Sequence, residues 1–219
     1  MPQRSSSYWQ ALVRGVDGEP DRIVLVDTTE HPDGVRLELS AAEAAGILEP
    51  VIVATAVIRQ GLVTELLIGS GFAPKAPPLW FVEAPEPEAQ PQATNLMAFA
   101  APVPTTSGGP GTGTLVRADA LNDMALTGVD QVGAVRWYPA SGMIDQIYVA
   151  PDRRRQHVAT ALLAAAGTLS VTRDWPRLWT DGERTALGEE LRNARPWADR
   201  AADLTHLAPP MTPGEHVRR

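Results

Sequence analysis

Cysteine is missing from this chain, which excludes disulfides, thiolate metal sites and a cysteine nucleophile together. Lysine is almost missing as well: Lys75 is the one lysine among 19 cations. No apolar run approaches the ~18 residues that a membrane-crossing helix needs. The opening MPQRSSSYWQ has no apolar stretch of the kind found in a secretory signal. These absences lead to the expectation of a cytoplasmic protein with no membrane partner. Histidine is sparse, and His31, His206 and His216 fall in turn or tail segments without metal-ligand spacing, so no metal is expected.

What is present is a chain of 219 residues, 44% of them hydrophobic, enough for one ordinary domain or two small ones. The net charge of −7 is unevenly spread. Residues 1–85 hold 6 Lys+Arg against 11 Asp+Glu, and residues 112–219 hold 13 against 13. Phosphate backbones call for clustered cations, and the only cluster is Arg153–Arg155. It is too small for a duplex, and no nucleic-acid partner is expected.

Proline marks the apparent break. Residues 74–111 hold nine of the 20 prolines, and a proline-rich run favours an extended spacer over a central strand. Leu96-Met97-Ala98-Phe99 reads as an apolar island in that spacer, either incidental or docked on a neighbour. The expected organisation is a small β-rich domain at 1–84, a Pro/Gly-rich linker at 85–111, an α+β domain at 112–208 and a flexible tail at 209–219. In the first part, Tyr8–Val16, Arg22–Asp27 and Val35–Leu39 read as strands, with a turn at His31-Pro32-Asp33-Gly34. Ser40-Ala41-Ala42-Glu43 is a capping box opening a helix through Leu48. Val51–Ile58 and Leu62–Ile68 read as two further strands joined across Gln60-Gly61. In the second part, strands are expected at Leu115–Arg117, Val132–Tyr138, Met143–Val149 and Arg177–Thr180. Helices are expected from about Arg154 to Thr172 and from Glu183 to Asn193. Trp137, Trp175 and Trp179 read as core residues, whereas an exposed Trp197 would suggest a docking surface.

The densest signal is residues 147–166, IYVAPDRRRQHVATALLAAA. A short apolar strand enters a Pro-Asp turn, then a basic and polar run, then a helix rich in alanine and leucine. A strand feeding a helix in this way aims unpaired amides and the positive end of the helix dipole at one point, which suits a phosphate.

At these residues the chain resembles the GNAT acetyltransferase superfamily. The family's fourth core strand ends in a hydrophobic-x-V-x-P turn, matched by Ile147-Tyr148-Val149-Ala150-Pro151. Its pyrophosphate loop, Q/R-x-x-G-x-G/A, falls on Arg154-Arg155-Gln156-His157-Val158-Ala159, with His157 where glycine is usual. The resemblance covers roughly residues 112–207. It implies a GNAT-like mixed sheet with flanking helices, hence an α+β class, and an acetyl-CoA cofactor. The cofactor would pair with the backbone of Ile147, Tyr148 and Val149 and set its pyrophosphate on Arg154, Arg155, Gln156, His157, Val158 and Ala159. Asp145 is the carboxylate on that strand that would serve as catalytic base, on the face of Ile147 and Val149; otherwise it is a solvated surface group. The tyrosine that often acts as acid in the family maps to Gly188, which has no side chain to donate. His157 is a surface residue, a phosphate partner when protonated, or the mark of a pocket that no longer binds.

Two functions follow. The first is acyl-CoA-dependent N-acetyl transfer to an unidentified small-molecule or protein amine. The second is a non-catalytic structural or interaction protein of GNAT fold, for example a bacteriophage virion component, with protein partners or a homo-oligomer.

Overall fold

The computed structural model describes residues 8–15, 21–27, 35–44, 53–101, 110–124, 130–193 and 201–208. Alternation and turn chemistry build a first sheet from β1 (Tyr8–Gly15), β2 (Arg22–Asp27), β3 (Val35–Ser40), β4 (Ala54–Arg59) and β5 (Leu62–Ile68). Its order is β3-β2-β1-β4-β5, and β1 runs parallel to β4 while the other neighbours are antiparallel. Gln60 (φ 52°) and Gly61 (φ 75°) are both left-handed, the combination that a tight two-residue hairpin turn requires. The capping box is formed at α1 (Ala41–Ala44). The Ser40 amide donates to the Glu43 carboxylate at 2.8 Å, and the Glu43 amide donates to the Ser40 hydroxyl at 3.3 Å. The Ser40 hydroxyl, which donates to the same carboxylate at 2.7 Å, and then the Ser40 amide hold the Glu43 carboxyl below its ordinary value. The turn at His31–Gly34, the helix beyond Ala44, Trp197 and the tail at 209–219 lie outside the described residues.

The second sheet corrects the linker reading. β6 (Leu79–Glu86) and β7 (Ala93–Ala100) form an antiparallel hairpin, and both are interior strands of the order β10-β9-β7-β6-β8. The expected linker at 85–111 therefore begins inside β6 and contains β7. The prolines are accommodated by position. β8 (Leu115–Arg117) pairs with β6 only along Phe81–Glu83, so at Pro85 no strand among the described residues pairs with the outer side of β6, and a missing donor breaks no ladder bond there. Pro91 lies in the turn, after a cis Gln90–Pro91 bond. The island at Leu96–Phe99 is the buried middle of β7, with Leu96 and Ala98 on one face and Phe99 stacked on Trp80, centroids 4.6 Å apart, on the other. β9 (Gln131–Trp137) and β10 (Ile144–Val149) complete the sheet as an antiparallel pair.

One helix, α2 (Val158–Thr172), lies against both sheets. Val158, Leu162 and Leu169 join Val135 and Trp137 of β9 in the main core, and that core also takes in Ala56 and Leu66 from the first sheet. Ala164 packs separately with Val53 and Ala54. Ten of its residues are buried all the way round, as a helix covered on two sides must be. Two of its buried hydroxyls bond back along the helix, Thr168 to Ala164 O at 2.8 Å and Ser170 to Ala166 O at 2.9 Å, which satisfies them without a partner from another element. Gly133 on β9 permits the approach. A Cβ there would lie 2.8 Å from Tyr148 O and 3.0 Å from Leu162 Cδ1.

The sheets also meet at their edges, where Leu66 N donates to Gly113 O at 2.7 Å and Glu65 bridges Thr114. The class is mixed α+β. After α2 come the two-residue strands β11 (Glu183–Arg184) and β12 (His206–Leu207), paired in parallel, and α3 (Ala186–Asn193). The expected second helix starts three residues later than its sequence suggested, because Thr185 caps it: its hydroxyl accepts from Gly188 N at 3.1 Å.

Candidate functional site

The strand–loop–helix segment singled out by sequence lies at an edge of the second sheet. The β9–β10 turn closes as expected, with Gly142 N and Ser141 N donating to Tyr138 O and Gly142 at φ 75°. β10 is held on one side by β9. On its other side the chain at Trp179 joins it only at the start, through Ile144 N to Trp179 O at 2.8 Å and Trp179 N to Gly142 O at 3.0 Å. That contact is parallel and pairs Met143 with Trp179; the next bridge, Thr180 with Ala201, has left β10. From Gln146 onward, no strand among the described residues pairs with the outer edge of β10. Ala150 N donates to Val132 O on β9, and antiparallel alternation then turns the backbone groups of Tyr148 inward and those of Ile147 and Val149 outward. Of the three residues expected to offer backbone to a ligand, two face the open edge and Tyr148 is spent on β9. The outward Val149 carbonyl accepts from Arg154 Nε at 3.3 Å.

After a 3-10 turn at Pro151–Arg153, the loop passes through two left-handed residues, Arg155 (φ 63°) and His157 (φ 57°). Glycine would adopt that backbone without strain, so the position where the family has glycine does require a left-handed residue. His157 is also the N-cap of α2, and it makes no side-chain capping bond. The first helical bond is Ala161 N to His157 O. No acceptor among the described residues takes the amides of Val158, Ala159 and Thr160, the donors that a helix start leaves for a cap or ligand. The arginines are more committed than the sequence implied. Arg153 pairs with Asp152 at 3.2 Å, Arg154 caps the Val149 carbonyl, and Arg155 pairs with Glu190 on α3. Gln156 donates to Asp152 O at 3.0 Å.

Asp145 does not take the place expected of it. The β9–β10 register slips between Ile144 and Gln146, so Asp145 is the extra residue of a bulge and the alternation that would align it with Ile147 and Val149 is broken. Its carboxylate is exposed and accepts from Arg136 Nη1 at 2.7 Å and from the Tyr138 hydroxyl at 2.8 Å. Arg136 reaches across the sheet to Glu86 as well, at 2.7 Å, and Asn95 also donates to Glu86. The two carboxylates raise the Arg136 guanidinium above its ordinary value, Glu86 contributing most. Arg136, then Asn95, lower the Glu86 carboxyl. With its oxygens already engaged by the Arg136 guanidinium and the Tyr138 hydroxyl, the Asp145 carboxylate would have to release them before taking a proton from an amine.

This Glu86–Arg136–Asp145–Tyr138 chain was not read from the sequence. Its one local signal is a lone charged residue in each of two strands, Arg136 in β9 and Asp145 in β10. Gly188 stands on α3, with Arg184 and Thr185 nearest the place that a side chain would occupy. Among the described residues no group of three or more His, Asp or Glu could hold a metal ion, and no helix is long and apolar enough to cross a membrane. Compared with protein-family models, curated proteins and solved structures, the chain matches none.

Proposed function

We propose that the chain is a GNAT-like protein that binds an acyl-CoA at the β10–α2 junction and transfers its acetyl group to an amine. The observation that carries the reading is the set of uncommitted backbone donors there. The amides of Val158, Ala159 and Thr160 open α2, and the outward backbone of Ile147 and Val149 lies on an edge from which the neighbouring chain departs after Trp179. The resemblance calls for such a parting of strands. These groups fit the cofactor through backbone: a pyrophosphate would lie on the helix start and a pantetheine along β10. Arg155 would turn to the phosphates only by leaving Glu190. Bound acyl-CoA would supply the thioester carbonyl that the amine attacks. This chain would contribute placement and backbone donors, with no dedicated acid at Gly188.

A second reading is favoured by Asp145. With that carboxylate engaged by Arg136 and Tyr138, the domain suits a non-catalytic interaction protein that keeps the fold. Acetyl-CoA titration followed by melting temperature tests the first reading. At about 100 times the dissociation constant, binding stabilises by ~2.7 kcal/mol, and a flat response up to millimolar cofactor rejects it. If binding occurs, thiol release in the presence of a panel of amines separates the transferase from the non-catalytic protein.

A further inference from the structure

We propose that β3 is a self-pairing edge, so that two copies of the chain join through antiparallel β3 strands about a two-fold axis. The four lateral edges of the two main sheets are not equivalent. β5 and β8 meet through the Glu65–Thr114 bridge, and β10 is covered at its start by Trp179 and capped at its end by Arg154. β3 is terminal in its sheet, and no strand among the described residues pairs with its outer side. Open edges are templates for strand pairing, and charges on them normally deter it. On β3 the charges do the reverse. An antiparallel register centred on Leu37 sets Arg36 opposite Glu38 of the partner subunit, and by symmetry Glu38 opposite Arg36 of the partner subunit. Opposite charges facing across strands stabilise the pair, and a two-fold interface is by nature self-complementary.

The other face of the strand supports the same register. Leu37 is 42% exposed, large for a leucine on a strand, and it would meet its own copy at the axis. Leu39 beyond it packs on Ile23, so the meeting leucines would extend an apolar patch already present. Existing contacts permit the new pairs. Glu38 accepts from Arg22 at 3.0 Å and keeps further acceptor sites, and Arg36, bonded to Asp174 and Trp175 O, keeps further donors.

Light scattering of the full chain over a concentration series tests this. The wild type is expected to reach twice the monomer mass. Leu37→Lys and Leu37→Glu, each setting like charges together at the axis, are expected to stay monomeric, and an equimolar mixture of the two is expected to recover the dimer. Leu62→Lys, on the exposed β4–β5 hairpin, is expected to leave the wild-type mass unchanged. Circular dichroism checks folding. If the Leu37 variants fail to fold, Glu38→Arg takes their place, since it sets arginines opposite each other across the axis and is expected to be monomeric. A wild type that is monomeric throughout, a folded Leu37 or Glu38 variant that still dimerises alone, or a mixture of the two Leu37 variants that stays monomeric overturns the proposal.

Discussion

At its C-terminal end α2 is tied down several times over, whereas at its N-terminal end the same helix is left unfinished. Trp175 N returns to Ser170 O at 2.9 Å and Asp174 N to Val171 O at 3.3 Å, with Asp174 left-handed at φ 54°. These are the two bonds that close a helix on a left-handed residue. Arg173 then donates both guanidinium ends to the buried Glu83 of β6 and lies 4.8 Å over the Trp175 ring, while Arg36 of β3 bonds the Trp175 carbonyl. One end thus fastens both sheets. The other offers three amides and no cap. The contrast teaches where stability and function divide: bonds completed within the protein hold the fold, and bonds left open are what a ligand can complete.

Glu83→Ala is the strongest test of the fastened end. Its side chain is 5% exposed and that of Arg173 is 32%, so the guanidinium left behind can still reach water and the loss is about 2 kcal/mol, below that for stranding a fully buried charge. Chemical denaturation should show that loss, with acetyl-CoA binding by the folded protein unchanged; a loss below ~1 kcal/mol would mean that the C-terminal contacts do not carry stability. Gly133→Ala strikes the open end from beneath. Its Cβ would press on Tyr148 O and Leu162, at about 2 kcal/mol for overpacking. Because it shifts the first turn of α2, it should weaken acetyl-CoA binding too.

Replacing the left-handed residues sharpens the comparison. His157→Gly and Asp174→Gly each relieve backbone strain against added freedom in the unfolded chain, a net change of about 1 kcal/mol or less. Melting curves should barely separate them. Only His157→Gly should tighten acetyl-CoA, and equal affinities in both variants would remove the distinction between the ends.

The smallest effects belong to the Arg136 network, away from both ends. Asp145→Asn should cost less than ~1 kcal/mol, as partly exposed pairs do, and should leave acetyl-CoA affinity alone. Glu86 has a folded pKa below its ordinary 4.5. Its contribution is therefore fully present above that value and is lost as pH falls through the lower folded value. A pH series of melting temperatures should show this acid loss reduced in Glu86→Gln; identical curves would make the network neutral.

Much was legible because it is local. The alternation of Val35-Arg36-Leu37-Glu38-Leu39, the Ser40–Glu43 reciprocal cap, the Gln60-Gly61 turn and the strand–loop–helix at 147–172 depend on bonds between residues a few positions apart. The sequence by itself determined these, along with the donors that a helix start leaves open. Tertiary structure alone decided the rest. It set Pro85 on an open stretch of β6 and so admitted a proline-rich run to the interior of a sheet. It buried α2 on two sides, bulged β10 so that Asp145 turned to Arg136, and gave Arg155 to Glu190. Each of those outcomes depends on which distant strand or charge arrives alongside, and chain entropy makes such long-range encounters a property of the whole fold.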